Sequence, residues 1–249
     1  MNICVTGGAG FIGSHLVDRL IELGHDVLVI DNLSTGMRSF VHEDAQFIEM
    51  DVRDPKLLSV FEEFKPSIVF HEAAQTMVQS SMENPSYDCD VNLIGLINVL
   101  DACRKVNVEQ FLMPSSAAVY GDLAVLPLTE DLSGMPSSFY GLTKLTAEGY
   151  LRIYHEAFGL NTVCFRYANV YGPRQGDGGE GGVISIFNRL IVEGQPLTVF
   201  GDGEQTRDFI YVDDVVDANI KAMGNGQCTG IYNISTNKGT SVNELITRF

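Results

Sequence analysis

The chain has 249 residues, 45% of them hydrophobic and 19% charged. That length and composition suit one large α/β domain, or one domain with a smaller appendage, and exclude a disordered or fibrous chain. A net charge of −16 makes the global field repel nucleic acid and anionic lipid, so neither is an expected partner and an anionic ligand must be held by local donors.

Five cysteines, Cys4, Cys89, Cys103, Cys164 and Cys228, are scattered without a C-x-x-C pair. This disfavours a disulfide framework or a zinc site and points to a reducing cytoplasm with no metal. The start, MNICVTGG, reaches glycine before a signal-peptide apolar region can develop. No run approaches the roughly 18 apolar residues of a membrane span, so a cytoplasmic chain without a membrane partner is expected.

In chain order, the apolar run NICVT predicts a first strand and FIGSHLVDRLIEL a first helix, followed by strands at HDVLVID and AQFIEMDV. SIVFHEAA, QFLMPSS and NTVCFRY continue the strands, and the stretches near 86–106 and 139–158 supply helices. Short apolar runs alternating with amphipathic ones are the rhythm of a parallel sheet covered on both faces. Past residue 168 the texture changes: the glycine-rich YGPRQGDGGEGG precedes the apolar-periodic VISIFNRLIVEG, so a smaller lobe over residues 169–249 follows a first domain over residues 1–168.

Between the first strand and first helix lies TGGAGFIGSH, residues 6–15. Gly8, Gly10 and Gly13 give G-x-G-x-x-G, while Gly7, Gly10 and Gly13 give G-x-x-G-x-x-G; either lets the backbone approach a pyrophosphate at a helix amino terminus. Asp31 ends the second strand at the spacing that suits a ribose diol. A carboxylate there repels the 2′-phosphate of NADP, which favours NAD and a Rossmann-type, doubly wound α/β fold. Asp51 and Val52, at the next strand end, fall where an adenine edge would lie.

In YGLTK, residues 140–144, Tyr140 and Lys144 share a helix face and can point into one cleft. Spacing alone is weak evidence, since a tyrosine on an apolar face is commonly core and a lysine commonly solvated. PSSAAVYG, residues 114–121, adds two hydroxyls at the carboxyl end of a strand, where doubly wound sheets place ligands.

Taken together, TGGAGFIGSH, DNLSTG, HEAAQ, PSSAAVYG, YGLTK, FRYANVYGPRQ and GDGEQTRDFIYVDDV resemble the extended short-chain dehydrogenase/reductases, in that order and over essentially the whole chain. Within that group the chain resembles the nucleotide-sugar 4-epimerases. The resemblance implies an NAD-dependent isomerase that inverts carbon 4 of a UDP-sugar through a transient keto sugar, working as a homodimer. It implies that Tyr140 is the base, that Lys144 holds the nicotinamide ribose and lowers the tyrosine pKa, and that Ser116, in preference to Ser115, binds the reacting hydroxyl. NAD contacts carried over are Gly7, Gly10, Phe11, Ile12, Gly13, Asp31, Asn32, Asp51, Val52, Ala73, Ala74, Gln75, Asn92, Tyr140 and Lys144. On the substrate side, Asn169 and Arg207 meet the diphosphate and Phe200 stacks beside the uracil.

Three departures from the pattern matter. Ala117 and Ala118 stand where related dehydratases and decarboxylases carry acidic residues, and alanine cannot shuttle a proton, so elimination of water is disfavoured. Glu72 replaces a usually apolar residue in HEAAQ, and no role follows for it. TSVNELITRF has Ser241 and Glu244 in capping-box spacing, but the family runs on further, so the second lobe is expected to be incomplete and the choice of sugar is unreadable. A reductase, dehydratase or 6-epimerase on another nucleotide sugar, and a non-catalytic NAD-binding module, are the alternatives.

Overall fold

A computed structural model describes residues 1–123, 125–176 and 182–249; residues 177–181 of the glycine-rich loop expected above lie outside the described residues. The first half contains β1 (Asn2–Thr6), α1 (Phe11–Glu22), β2 (Asp26–Asp31), β3 (Gln46–Glu49), α2 (Leu57–Phe64), β4 (Ile68–His71), α3 (Val78–Glu83) and α4 (Pro85–Cys89). It continues through a π-turn at Asp90–Gly95 into α5 (Leu96–Val106), then β5 (Gln110–Ser116), α6 (Phe139–Phe158) and β6 (Asn161–Tyr167). The remainder is β7 (Asn169–Tyr171), α7 (Val183–Val192), β8 (Thr206–Tyr211), α8 (Val212–Ala222), β9 (Gly230–Ile234), β10 (Gly239–Ser241) and α9 (Val242–Ile246).

Seven strands form one parallel sheet in the order β3-β2-β1-β4-β5-β6-β9. The order reverses between β1 and β4, so the crevice above their carboxyl ends is where such a fold binds ligands. β1 and β2 are buried along almost their whole length, because helices cover both faces of the sheet. Alternation along each strand divides the core: Cys4, Leu28, Val69 and Phe111 meet α2, α5 and α6 on one face, while Ile3, Val5, Val29, Phe70 and Leu112 meet α1 and α8 on the other.

The chain leaves this sheet near the boundary expected at residue 168, but it comes back. β9 pairs in parallel with β6, Val215 and Val216 of α8 join the core beside Leu16, Val17 and Leu20, and Arg19 bonds Asp217 at 2.8 Å. The second lobe is correspondingly small. It is built on the sheet β10-β8-β7, with a core in which Phe187, Val242 and Leu245 pack together.

Local sequence accounts for the elements that carry the site. Helix α6 begins where the Ser138 hydroxyl accepts from the Gly141 amide at 3.1 Å and ends at Gly159, whose φ of 72° suits a left-handed cap. The predicted capping box is present at α9, with Ser241 and Glu244 exchanging both bonds.

Candidate active site

A cleft of about 510 Å³ opens over the carboxyl ends of β1, β2, β4, β5 and β6. Gly7, Gly10 and Gly13 line it and Gly8 does not. Gly7 has φ +73°, and a Cβ on it would lie 2.5 Å from the Ala73 nitrogen; one on Gly13 would lie 2.3 Å from the Gly7 carbonyl oxygen. Gly8 faces the side chains of Val29 and Val17 in the core. Of the two phasings, the Gly7, Gly10, Gly13 set therefore forms the cradle, with Gly8 serving helix-to-sheet packing.

Asp31, 8% exposed, accepts the Ala9 amide at 3.0 Å and the Leu33 amide at 2.8 Å, which fixes its carboxylate at the rim. Beside it Asn32 donates to Asp51 at 2.8 Å. The Arg53 guanidinium, bonded to Asp51 at 2.7 Å, holds that carboxyl well below the usual range. Phe11, Ile12, Val52, Ala73, Ala74 and Gln75 complete this half of the lining.

The predicted helix near 86–106 is interrupted by a π-turn, and that irregularity presents Asn92 to the β4 loop. Asn92 accepts the Gln75 amide at 2.8 Å and donates to the Gln75 carbonyl at 3.0 Å. It is 6% exposed and stands behind the lining, so its contact is with the loop that shapes the cleft. Buried Asp88 ties the same region to α6, accepting from Gln75 at 2.7 Å and from Thr143 at 2.8 Å.

At the other end Ser116, Tyr140 and Lys144 line the cleft together. The Ser116 hydroxyl also accepts the Ala118 amide at 3.2 Å, capping a 3₁₀ turn over Ala117–Tyr120. Ser115 is committed elsewhere: its hydroxyl donates to Glu148 at 2.6 Å. The Lys144 ammonium donates to the Pro114 carbonyl at 2.9 Å and stands 5.9 Å from the centre of the Tyr140 ring.

The expected fall in the Tyr140 pKa is not produced by the protein's own groups. Burial pushes the phenol up to about 12, the Ser116 hydrogen bond opposes this and the Asp88 charge adds to it. Desolvation also lowers Lys144, and the Glu72 charge acts against that, so the ammonium's field is partly spent on neighbours other than the phenol.

Sequence reasoning missed the buried pair beneath these residues. Arg166 binds Glu148 with two parallel bonds of 2.9 and 2.8 Å and donates to the Tyr120 hydroxyl at 2.8 Å. Tyr120 in turn donates to Asn233 at 2.7 Å, so β5, β6, α6 and β9 are clamped just below Ser116. Arg166 reads as one more polar residue in FRYANVYGPRQ, and nothing local announces Glu148 as its partner.

The three substrate-side candidates are not among the residues that line this cleft, although Ala168 and Val170, on either side of Asn169, are. Asn169 is exposed on β7 and donates to the Asp208 carbonyl at 3.0 Å. Arg207, exposed two residues away on paired β8, donates to the Thr206 carbonyl at 2.8 Å, while Phe200 is 82% exposed. Asn169 and Arg207 share the small sheet; neither they nor Phe200 line the cleft.

A glycine cradle that a Cβ would fill, a fixed carboxylate at the second strand end and an orphaned buried oxygen, Oε1 of Glu72, fit a dinucleotide. With Ser116, Tyr140 and Lys144 on the rim, fold and site define a nicotinamide-dependent enzyme of the short-chain dehydrogenase/reductase class. The chain matches the NAD dependent epimerase/dehydratase family over residues 3–235, and it belongs to that family. It is 46% identical over 244 residues to a putative UDP-glucose 4-epimerase of Methanocaldococcus jannaschii, covering 98% of this chain and 79% of that one. The UDP-glucose 4-epimerase of Thermotoga maritima, solved with UDP-glucose, superposes with a TM-score of 0.95 at 43% identity over 99% of this chain and 81% of that one. That of Thermus thermophilus, solved with NAD, gives 0.94 at 40% identity over the same shares.

No helix among the described residues is long and apolar enough to cross a membrane, and no group of three or more His, Cys, Asp or Glu among them could hold a metal ion.

Proposed function

We infer that this protein is an NAD-dependent nucleotide-sugar 4-epimerase that interconverts UDP-hexoses at carbon 4. The observation that carries the reading is the convergence of Ser116, Tyr140 and Lys144 on the cleft that the glycine cradle and Asp31 also line. When bound, NAD supplies the hydride acceptor and donor for the sugar carbon and a positive ring beside the phenol.

Tyr140, ionised to the phenolate by the field of Lys144 and of the nicotinamide's positive charge, would take the proton of the sugar hydroxyl onto its oxygen and give it back. Ser116 Oγ orients that hydroxyl, and Lys144 Nζ, anchored on Pro114, holds the cofactor ribose. Gly7, Gly10 and Gly13 admit the pyrophosphate to the amino terminus of α1. Asp31 is the diol acceptor and the source of preference for NAD over NADP. Ala117 and Ala118 offer no second acid, so the chemistry stops at proton and hydride exchange and no water is eliminated.

On the substrate side, Asn169 and Arg207 bind the diphosphate and Phe200 stacks on the uracil. All three are exposed, and β7 and β8 carry the first two on adjacent paired strands. Two copies associate through α6, where Leu142 and Ile153 lie half exposed on one helix face. The protein works in the cytoplasm, as five unpaired thiols suit.

Incubation with UDP-glucose and NAD, followed by proton NMR of the sugar, tests the reading. UDP-galactose of unchanged mass without net cofactor consumption is expected. Loss of water or stoichiometric use of NAD would assign another reaction.

A further inference from the structure

Glu72 lines the cleft with a carboxylate to which the mechanism gives no part. Its amide donates to the Thr6 carbonyl at 2.9 Å, extending the β4 ladder one residue beyond His71. There it stands against Gly7, where an added Cβ would come within 2.6 Å of the Glu72 carbonyl carbon. The backbone is thus fixed at the point where the strand order reverses. The side chain lines the cleft, yet Oε1 is buried and makes no hydrogen bond. A buried carboxylate oxygen without a donor costs the desolvation of that oxygen with nothing returned, so the site is built for a donor that the protein itself does not supply.

The charged and titratable groups around it are few. Lys144 of α6 faces it and is raised by it, and the phenol of Tyr167 on β6 feels its charge. His71 on its own strand is bonded to Thr6 and kept neutral by burial, with a pKa lowered to about 3. Behind Lys144 lie Asp88, Glu148 and Cys164. The sole cation facing Glu72 in this set is Lys144, and its ammonium is already directed onto the Pro114 carbonyl.

We infer that Glu72 is a cofactor-binding residue: its carboxylate accepts a hydrogen bond from NAD at the Lys144 end of the cleft, and NAD binding expels a proton from Glu72 to solvent. The inference rests on NAD occupying this cleft. Burial raises the Glu72 carboxyl to about 7 in the protein alone, with Lys144 opposing, so a substantial fraction is protonated near neutrality. A donor brought to it favours the ionised form. The sign follows from linkage: the complex binds fewer protons than the free protein, so affinity rises with pH through the neutral range.

Isothermal titration calorimetry of the intact protein with NAD, in two buffers of different ionisation enthalpy at pH 7, counts the protons directly. Release of about half a proton is expected, with Kd roughly tenfold lower at pH 8 than at pH 6. Glu72→Gln and Glu72→Leu should each abolish the release and flatten the pH dependence, with affinity at pH 8 reduced. Two variants are used so that a packing defect in one does not decide the outcome, and thermal melting checks both. Binding without proton release in the unsubstituted protein, or release that survives in Glu72→Gln, overturns the inference. Proton uptake also overturns it, because uptake would mark Lys144 as the group that titrates. Absence of any NAD binding would instead sink the cofactor reading itself.

Discussion

The two lobes differ in how far their functional groups are already held. In the large lobe, Asp31, Asn92 and Lys144 are buried and bonded to named partners, and half-buried Ser116 accepts the Ala118 amide. In the small lobe, Asn169, Phe200 and Arg207 are exposed, and the bonds described for Asn169 and Arg207 go to nearby backbone carbonyls. The sheet beneath the cleft is buried on both faces, whereas Asn169 and Arg207 stand on a three-stranded sheet over a small core. Such a division suits a reaction in which the nicotinamide must not move while the sugar must turn, because rigid groups belong where the geometry is constant.

The largest effect that sharpens this contrast is at Tyr140. Tyr140→Phe should lower epimerase turnover by roughly 10²- to 10⁴-fold while NAD affinity measured by calorimetry stays within about twofold. Retention of a tenth of the activity would remove the phenol from the proton transfer.

Next is the buried clamp. Arg166→Met leaves Glu148 without its bidentate partner and should destabilise the fold by about 3–5 kcal/mol in denaturant titration, with Glu148→Leu in the same chain restoring much of it. A loss under 1 kcal/mol, the scale of an exposed pair, would mean that the clamp does not hold the β5 and β6 ends together.

In the small lobe, Arg207→Ala should raise KM for UDP-glucose by roughly tenfold, the scale of a charge-assisted hydrogen bond, with NAD affinity unchanged. A fall in NAD affinity instead would break the division between lobes and move Arg207 to the cofactor side.

The smallest effect is expected at Asp31. The unsubstituted protein should prefer NAD to NADP, and Asp31→Ala should narrow that preference several-fold by removing both the diol acceptor and the repulsion of a 2′-phosphate. Equal affinities for the two cofactors before any substitution would refute the role.

Much of this was legible in the residues themselves. The βαβ rhythm gives the sheet because burial on both faces demands continuous apolar strands, and TGGAGFIGSH places its glycines by backbone geometry that only glycine tolerates. Tyr140 and Lys144 share a cleft because four residues make about one helical turn. These are local rules, with periods of two or 3.6 and fixed turn chemistry.

What the sequence left open depended on residues far apart in the chain. The choice between Gly7 and Gly8 needed Val29 and the Glu72–Ala73 backbone as neighbours. The bond that occupies the Ser115 hydroxyl needed Glu148, 33 residues away on α6. The place of Asn92 needed the π-turn that aims it at Gln75, and the return of β9 to the large sheet needed the free edge of β6. Glu72 is the sharpest case: as a residue type it is indistinguishable from a solvated glutamate, and only the folded cleft removes its Oε1 from water without giving it a donor. Local sequence sets dihedral preferences and periodicity, but desolvation and long-range pairing exist only once the chain has closed on itself, so the folded structure alone decides which polar groups are satisfied and which are left for a ligand.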